Sequence, residues 1–454
     1  MDDWWIEPMR RTFGGHAVVL AGAMGASWTE HIDLLRSVGV TELMVVATEG
    51  RGAGPQPDAP TVIVEPPDGL AEMERIHFAD RLLMHPTLEM IEAVDRFDPH
   101  REAIVIGTFL GTAAELDGRP FVSHRRPEWV ALEDKVVVDA FWDRAGIDRQ
   151  PSIVVPLDDA IDASESIDRG HGAVWAADAR DGFHGGAHQT YWVTDNASRD
   201  RALSRLRPVC NTVRVMPFLE GIPCSIHGIV LPDGVAVLRP VEMVTLRRGN
   251  DFVYAGCATY WDPEPSVREQ MRSIARQAGD QLAREVAFRG TFTVDGVVTA
   301  NGFWPTELNP RFGAGIMTIA RGAGIPMVLV NDLIVAGHDI GRTAVELEAD
   351  VVEHGDARRG GGTWMGSLDH DLEVTGRPVT RSDDGSWSWA GPDDEIAGRV
   401  TAGAGFIRCI YEQATTPTGP STGTRAAAFW KFIDRECNTG TADLTSARDP
   451  TKGV

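Results

Sequence analysis

Residues 290–315 contain two β-rich runs on either side of Ala-Asn-Gly at 300–302, a pattern typical of a β-hairpin. The length of the loop decides which residues face each other. A loop of only the last two residues would place Asp295 opposite Leu308. A three-residue loop with its glycine in the left-handed conformation places Asp295 opposite Glu307 instead. We predict the three-residue loop, because it alone separates apolar from polar side chains.

In this register one face of the hairpin is apolar and the other is acidic. The predicted core face has Phe292, Val294, Val298, Trp304 and Leu308. The opposite face has Asp295, Glu307 and Asn309. Two directly opposed carboxylates repel each other, and carboxylate and amide oxygens are ligands that Mg²⁺ prefers. Protein-bound Mg²⁺ often completes its shell with substrate phosphates, so the hairpin predicts a magnesium–nucleotide site. The alternative is an exposed acidic hairpin in which Asn-Pro simply ends the strand.

The first 120 residues alternate strand-like and helix-like patterns. Strands are predicted at 16–22, 42–48 and 102–110, and helices at 28–40, capped by Ser27 or Thr29, and at 69–96 with a break near Pro86. Strands separated by helices pair in parallel, so we predict a small doubly wound α/β domain.

The first turn of that domain, residues 22–27, is glycine-rich, and Glu49 lies at the distance at which a dinucleotide fold binds ribose. The complete G-x-G-x-x-G pattern is absent. Glycine also serves tight βα turns for steric reasons alone, and we favour that interpretation over an oxidoreductase.

A long amphipathic helix is predicted over 266–287. Its apolar stripe consists of Val267, Met271, Ile274, Ala278, Leu282 and Val286. After about residue 340 the sequence turns irregular, with a loop at 415–424, a last helix at 426–437 and a polar tail that we expect to fray.

The formal net charge of the 454-residue chain is −23, which disfavours nucleic acid and anionic membrane surfaces as partners. No apolar run reaches the 18 or so residues that span a bilayer, and the chain starts without a leader-like apolar segment. We therefore expect a cytoplasmic protein. Five widely spaced cysteines fit neither a disulfide framework nor a zinc ribbon. Only three basic residues are lysines, so each lysine deserves scrutiny.

The segment TELNPRFGAG (306–315) resembles the E-x-N-P-R motif of ATP-grasp enzymes, in which an upstream Asp and the Glu and Asn of the motif bind the magnesium ions of ATP. Residues 131–148 resemble the D-K helix of that family, with Lys135 as the phosphate lysine. The glycine-rich stretch 180–188 corresponds to the lid loop, and 213–230 resembles the strand and hinge that hold adenine.

The resemblance implies an α/β and α+β chain with three parts: an N-terminal pre-ATP-grasp domain (1–120), an ATP-grasp domain (121–340, lid about 150–215) and a C-terminal accessory region (341–454). It implies an ATP-dependent, ADP-forming ligase that joins a carboxylate to an amine through an acyl phosphate. The nucleotide-binding candidates are Lys135, Arg180, Gly182, Gly185, Gly186, Met216, Phe218, Leu219 and Glu220.

In the roles implied by the resemblance, Glu307 bridges two Mg²⁺ ions, and Asp295 and Asn309 each complete one. Arg311 holds the transferring phosphate, since a planar guanidinium matches phosphate oxygens. The weaker catalytic candidates are Arg247 and Arg248, which are alternatively solvated loop residues. Glu242 is the candidate for a cationic substrate group, or else a surface strand residue.

Three departures from the family pattern stand out. The strand before the lid loop (173–179) has no second phosphate lysine. The acidic hinge residue of the family falls near Met216 and its later ribose-binding Glu near Pro223, and neither side chain can accept a hydrogen bond from ribose.

The residues at 239–249 and the separate C-terminal segment resemble ligases with a pre-ATP-grasp domain, the group that includes the peptide ligase of pheganomycin biosynthesis. Small-molecule biosynthesis with amino acids or peptides follows from that resemblance. A degenerate, regulatory nucleotide-binding protein is the alternative, and the sequence leaves the oligomeric state open.

Overall fold

The computed structural model of the chain describes residues 3–49, 56–70, 72–108, 110–180, 182, 185 and 187–449. Its first part is a four-stranded parallel sheet in the order β3-β2-β1-β4. The strands are β1 Ala17–Met24, β2 Glu42–Glu49, β3 Thr61–Ile63 and β4 Ile104–Ile106. The helices are α1 Ile6–Phe13, α2 Thr29–Ser37, α3 Glu72–Met84 and α4 Leu88–Phe97, with a 3₁₀ turn at Gly25–Trp28. The predicted doubly wound domain is confirmed.

One detail of the first turn differs from expectation, and another agrees with it. The helix α2 begins without a side-chain cap, and Ser27 donates its hydroxyl backwards to the carbonyl of Met24. A Cβ atom on Gly22 would lie 2.7 Å from Thr108 and 3.1 Å from the buried indole of Trp28. The glycine of this turn is therefore required by close packing.

A connecting segment follows the first sheet. It contains β5 Glu115–Leu116, β6 Arg119–Pro120, α5 Pro127–Val130, a 3₁₀ turn at Ala131–Glu133 and α6 Val138–Ala145. The sequence predicted a helix that includes Lys135. That prediction is wrong in detail, because Lys135 lies in the turn before α6.

The main sheet is largely antiparallel, in the order β16-β15-β11-β13-β14-β9-β8-β10-β7, with β12 beside β11 and β22 beside β13. Its strands are β7 Ile153–Pro156, β8 Ala173–Ala177, β9 Thr190–Val193, β10 Thr212–Pro217, β11 Ile222–Leu231, β12 Gly234–Val237, β13 Val241–Arg248, β14 Asp251–Ala258, β15 Gly290–Thr299, β16 Gly302–Asn309 and β22 Thr445–Ser446. The helices are α7 Ala160–Ile167, α8 Asn196–Leu206, α9 Pro265–Val286, α10 Ala314–Ala323, α11 Met327–Ala336 and α12 Ala344–Ala357, with a 3₁₀ turn at Leu157–Asp159. The predicted stripe of α9 packs on this sheet, with Met271, Ile274, Ala278 and Leu282 buried.

The last part is a five-stranded antiparallel sheet, β17-β21-β20-β18-β19, packed on a long helix. Its elements are β17 Gly362–Met365, β18 Val374–Arg381, β19 Trp387–Trp389, β20 Gly398–Gly403, β21 Phe406–Tyr411, a 3₁₀ turn at Gln413–Thr415 and α13 Gly423–Cys437. The expectation of a frayed tail is wrong for Thr445–Ser446, which pairs with Arg247 and Leu246 of β13.

The β15–β16 hairpin confirms that Asp295 faces Glu307, but for a different reason from the one predicted. The loop has two residues, since Thr299 pairs with Gly302. A bulge at Thr306 restores the register beyond it. On the loop side of this bulge the faces are exchanged, so that Phe303 rather than Trp304 enters the core.

Within the described ranges, no single helix has both the length and the apolar character needed to cross a bilayer. The consecutive helices α10 and α11 meet that test only as a pair, and they are bent by 113°.

Candidate active site

A cavity of about 810 Å³ lies over the main sheet. Its floor consists of side chains from five neighbouring strands, β16, β15, β11, β13 and β14, and its roof includes residues of β8 and β10. Met73, Ile76 and Leu110 reach it from the first part of the chain. The cavity brings together most of the candidates from the sequence: Lys135, Gly185, Met216, Phe218, Leu219, Arg247, Asp295, Glu307, Asn309 and Arg311.

Asp295, Glu307 and Asn309 form one cluster on the floor. The amide of Asn309 donates to Asp295 Oδ2 at 2.9 Å, and the hydroxyl of Ser225 donates to Asp295 Oδ1 at 2.5 Å. Burial, reinforced by the negative charge of Glu307, raises the pKa of Asp295 well above its ordinary value. The repulsion between the two carboxylates favours a positive charge at this position, and the donors are hard oxygens. The cluster therefore fits a divalent cation of the Mg²⁺ type.

Lys135 lies between this cluster and the strand β9. Its Nζ is 4.0 Å from Glu307 Oε2 and donates to the carbonyl of His188 at 3.1 Å and to Thr190 Oγ1 at 3.2 Å. The side chain is 5% exposed, so its charge acts in a poorly hydrated environment. Lys135 is thus placed to attract an anion above Glu307.

Arg311 is fixed next to the cluster by two partners. Its Nη2 donates to Asn309 Oδ1 at 2.9 Å, and its Nε lies 3.1 Å from Glu133 Oε1. Glu133 also pairs with Arg125, so one buried carboxylate serves two guanidinium groups. This arrangement leaves surplus positive charge beside the paired acids, which suits a phosphate or another oxyanion.

Two aromatic residues, Phe218 and Phe252, line the other end of the cavity, and Trp192 lies behind Phe218. Phe218 stacks on Trp192 with ring centroids 4.0 Å apart, and Phe252 lies parallel to Phe218 at 6.5 Å. The guanidinium of Arg247 lies 5.0 Å from the centroid of Phe218 and forms a two-point ion pair with Glu220, at 2.8 and 3.0 Å. This end offers flat apolar contacts of the kind that hold a nucleobase.

The remaining candidates lie outside the cavity lining. Glu220 faces Arg247 and also accepts the backbone N–H of Arg448. Arg180 donates to Asn211 Oδ1 and to the carbonyl of Pro208, and Arg248 pairs with Asp443. Gly182 adjoins the imidazole of His77. Gly186 lies outside the described residues.

Glu242 is also outside the cavity, and its position does not favour the substrate role predicted for it. The residue is 2% exposed, and its carboxylate accepts the backbone N–H groups of Thr422 and Gly423 and the hydroxyls of Ser421 and Thr422. These donors surround the start of α13. The carboxylate is therefore fully occupied as an anchor for that helix.

Sequence reasoning missed Arg214. This buried residue lines the cavity from β10, where its Nη2 lies 2.6 Å from Asp139 Oδ1 and its Nη1 donates to the bulged carbonyl of Thr306 at 2.8 Å. In the ladder it stands opposite Ala176, on the strand that has no lysine. A charged residue between Val213 and Val215 was the signal that could have identified it.

Glu49, the residue that a dinucleotide-binding fold would use for ribose, does not line this cavity. Its carboxylate pairs with Arg75 at 2.7 Å.

Comparison with known structures identifies the fold. The biotin carboxylase domain of 2-oxoglutarate carboxylase from Hydrogenobacter thermophilus, solved with MgADP, ADP and bicarbonate, superposes with a TM-score of 0.57 at 13% identity, covering 95% of this chain and 91% of that one. The L-amino acid ligase from Bacillus licheniformis superposes with a TM-score of 0.52 at 14% identity, covering 93% and 98%. The chain has the ATP-grasp fold. The architecture implied by the sequence resemblance is confirmed, with the parallel domain preceding the ATP-grasp sheets.

Two longer proteins match only in part. The chain spans 37% of Rhizobium etli pyruvate carboxylase, with a TM-score of 0.57, 14% identity and 91% of this chain covered. A 108-residue segment, 24% of this chain, is 23% identical to the arginine-specific large chain of carbamoyl phosphate synthase from Bacillus subtilis and spans 10% of that protein. No family model matches the chain.

Proposed function

We propose that this ATP-grasp protein is an ATP- and Mg²⁺-dependent ligase that joins a carboxylate to an amine and releases ADP and phosphate. The observation that carries the proposal is the pairing of Asp295 with Glu307 on the floor of a cavity that also contains Lys135 and Arg311. Opposed acids beside fixed cations are the arrangement required to hold a metal–triphosphate complex.

The roles follow from position. Met216, Phe218 and Leu219 hold the base, and Lys135 contacts the phosphates. Asp295, Glu307 and Asn309 would hold two Mg²⁺ ions, which when bound neutralise the triphosphate and orient it. Arg311 stabilises the charge that accumulates on the transferring phosphoryl group. Arg247 adds a cation at the base end, where Glu220 partly neutralises it.

The reaction begins when the substrate carboxylate attacks the γ-phosphorus, which yields an acyl phosphate and ADP. A neutral amine then attacks the acyl carbon, phosphate leaves, and the proton lost by the nitrogen passes to the released phosphate or to solvent. Both steps develop negative charge close to Arg311 and Lys135, so most of the rate enhancement is electrostatic and positional.

The test is product analysis with purified protein, Mg²⁺, ATP and pairs of amino acids or short peptides. We expect ADP and phosphate in equal amounts with the amide product, and only when both substrates are present. Formation of AMP and pyrophosphate would overturn the acyl-phosphate route.

A nucleotide-binding protein without turnover is the second candidate. The observation in its favour is that β8, Ala173–Ala177, has no lysine, while Arg214 opposite it is already paired with Asp139. Tight MgATP binding with no product from any substrate pair would support this candidate.

The narrower assignment, a peptide ligase of small-molecule biosynthesis with a pre-ATP-grasp domain like the pheganomycin enzyme, is part of the proposal. The four-stranded parallel sheet ahead of the ATP-grasp sheets supports it.

A further inference from the structure

The cavity extends sideways from the paired acids to a wall that the proposed reaction does not use. This aromatic wall consists of Met243, Tyr254, Cys257 and Trp364. The rings of Tyr254 and Trp364 meet edge to face, with centroids 6.1 Å apart and planes at 82°. The thioether, the indole and the phenyl ring make this wall largely apolar, with the Tyr254 hydroxyl and the Cys257 thiol as its polar groups.

Trp364 comes from β17, in the C-terminal part of the chain, and it reaches the cavity because β14 has a notch. The notch is Gly256, at φ +116°, where the register of β13 and β14 shifts. A Cβ atom at this position would lie 2.6 Å from the carbonyl oxygen of Gly362 and 2.9 Å from Trp364 Cε3. Glycine is therefore needed both for the backbone conformation and for the approach of β17.

Hydrogen bonds hold β17 in the notch. The hydroxyl of Thr363 donates to the carbonyl of Ala255 at 2.6 Å and accepts the indole N–H of Trp430 at 2.6 Å. Thr363 is fully buried, so these bonds are shielded from water. The indole of Trp364 is consequently presented from a rigid support.

The spacing of the strands gives the distance across the sheet between Asp295 and the aromatic wall. Asp295 is on β15, and the wall residues Tyr254 and Cys257 are on β14, with β11 and β13 between them. Three strand spacings amount to about 14 Å. The wall is also offset along the strands, because Asp295 pairs with Ser225 and Ser225 with Val241, whereas Cys257 pairs with Met243, two residues further on. A molecule with its carboxylate beside the metal-binding acids must therefore span at least this distance to reach the wall.

The wall adjoins the base end along β14, where Tyr254 follows Phe252 by two residues, but its rings form a different pair. Phe218, Trp192 and Phe252 already supply a stacked set of rings there. Trp364 is in contact distance of Tyr254 instead, on the side of the floor where Cys257 meets Thr318 of α10.

We propose that the aromatic wall is the specificity subsite for the carboxylate substrate, and that it accepts an apolar end group of aromatic size about 14 Å from the reacting carboxylate. This inference rests on the proposed ligase function. It also gives the C-terminal part of the chain a role, which is to supply Trp364.

The experiment uses a series of carboxylic acids of increasing length in the presence of MgADP: acetate, phenylacetate, 4-phenylbutyrate and 8-phenyloctanoate, the last of which is about 14 Å long when extended and so spans three strand spacings. Saturation-transfer difference NMR on the full chain measures their affinities. We expect affinity to rise with chain length and to be highest for 8-phenyloctanoate. Trp364→Ala should weaken that acid about tenfold or more, and Trp364→Phe should restore most of the affinity. Acetate should be unaffected by either change.

Trp389→Ala is the matched control, because Trp389 bonds to Glu436 outside the cavity. Trp364→Leu replaces the alanine variant if the latter fails to fold, and it should lose the same preference for phenyl groups. Equal affinities in wild type and the Trp364 variants would overturn the subsite, as would a wild type that binds none of the phenyl acids.

Thermal stabilisation by MgATP and ADP release are measured on the same samples. If MgATP does not bind, the proposed function fails. If the protein ligates substrates but Trp364→Ala leaves its carboxylate preference unchanged, only the subsite fails.

Discussion

Asp295 and Glu307 face each other across the β15–β16 ladder, and the amide of Asn309 and the hydroxyl of Ser225 are both directed at Asp295. Neither donor removes the repulsion between the two acids, since the pKa of Asp295 stays raised by burial and by Glu307. The protein alone thus leaves this pair electrostatically unfavourable, and a bound cation would relieve it.

Replacing either acid should stop the reaction without unfolding the chain. We expect Asp295→Asn and Glu307→Gln to lower ADP formation by about two to three orders of magnitude, a loss typical of groups that stabilise transition-state charge. Coupled ADP assays and circular dichroism check activity and fold. Asp280→Asn, on the exposed side of α9, is the control. Full activity in either cavity variant would mean that other groups bind the metal.

Asp295→Asn should also change stability in the absence of metal. Because the folded-state pKa is raised, folding is favoured by protonation, and that contribution is lost as pH rises above the ordinary carboxyl value. The neutral amide lacks this dependence. We expect the metal-free variant to melt at or above the wild-type temperature at pH 8, and Mg²⁺ to stabilise only the wild type. A lower melting temperature for the variant contradicts this account.

A second buried acid, Asp332, lies outside the cavity and should make the stability of the fold depend on pH. Burial raises the pKa of Asp332 to about 7, although the hydroxyl of Ser123 donates to it. Protonation therefore stabilises the fold fully below about pH 4, and this contribution, at most about 4 kcal/mol, is lost as pH rises to about 7. In urea titrations at pH 5 and 8, Asp332→Asn should flatten the decrease seen in wild type. An unchanged pH slope would show that another group is responsible.

Gly315 at the start of α10 should be intolerant of a methyl group. A Cβ atom there would lie 2.2 Å from Nε2 of the buried His227. We expect Gly315→Ala to cost about 1–3 kcal/mol of unfolding free energy, and His227→Ala to recover part of that loss in the double variant. Gly360→Ala is the control, since nothing lies within 4 Å of its added Cβ. Additive effects of the two changes would rule out the contact.

A substitution at Glu242 distinguishes the predicted role in substrate binding from the observed contacts at the start of α13. Glu242→Ala leaves the donors at the start of α13 without an acceptor, which should destabilise the fold by on the order of 3 kcal/mol. Because the carboxylate lies outside the cavity, the KM values for ATP and for the carboxylate should change little in the protein that remains folded. A large increase in KM at unchanged stability would restore the substrate role.

The sequence was sufficient to predict elements that depend on a local pattern of apolar residues. The helix predicted at 266–287 occupies Pro265–Val286, because its apolar spacing matches the one surface against which it packs. The Asp295–Glu307 pairing was predicted from a loop that does not exist. The bulge at Thr306 depends on Pro305, which cannot donate to the ladder, and on Arg214, far away in the chain, which binds the bulged carbonyl. Long-range partners of this kind leave no local signature.

The same limit explains Glu242 and Arg214. Each is a buried charged residue within a strand, and the alternation of its neighbours does not show which distant group it pairs with. The partner of Glu242 is a helix terminus some 180 positions later, and that of Arg214 is Asp139, 75 positions earlier. Only the fold brings these groups together.

The notch at Gly256 also has a practical meaning for redesign. Since β17 sits on β14 through a place where no side chain intervenes, position 364 can be varied while Gly362 and Thr363 are kept, because Gly362 packs against the carbonyl of Cys409 and Thr363 bonds to Ala255 and Trp430. If the proposed subsite is correct, such variants would prefer other carboxylates, while the paired acids and Lys135 on the other side of the cavity would be unchanged.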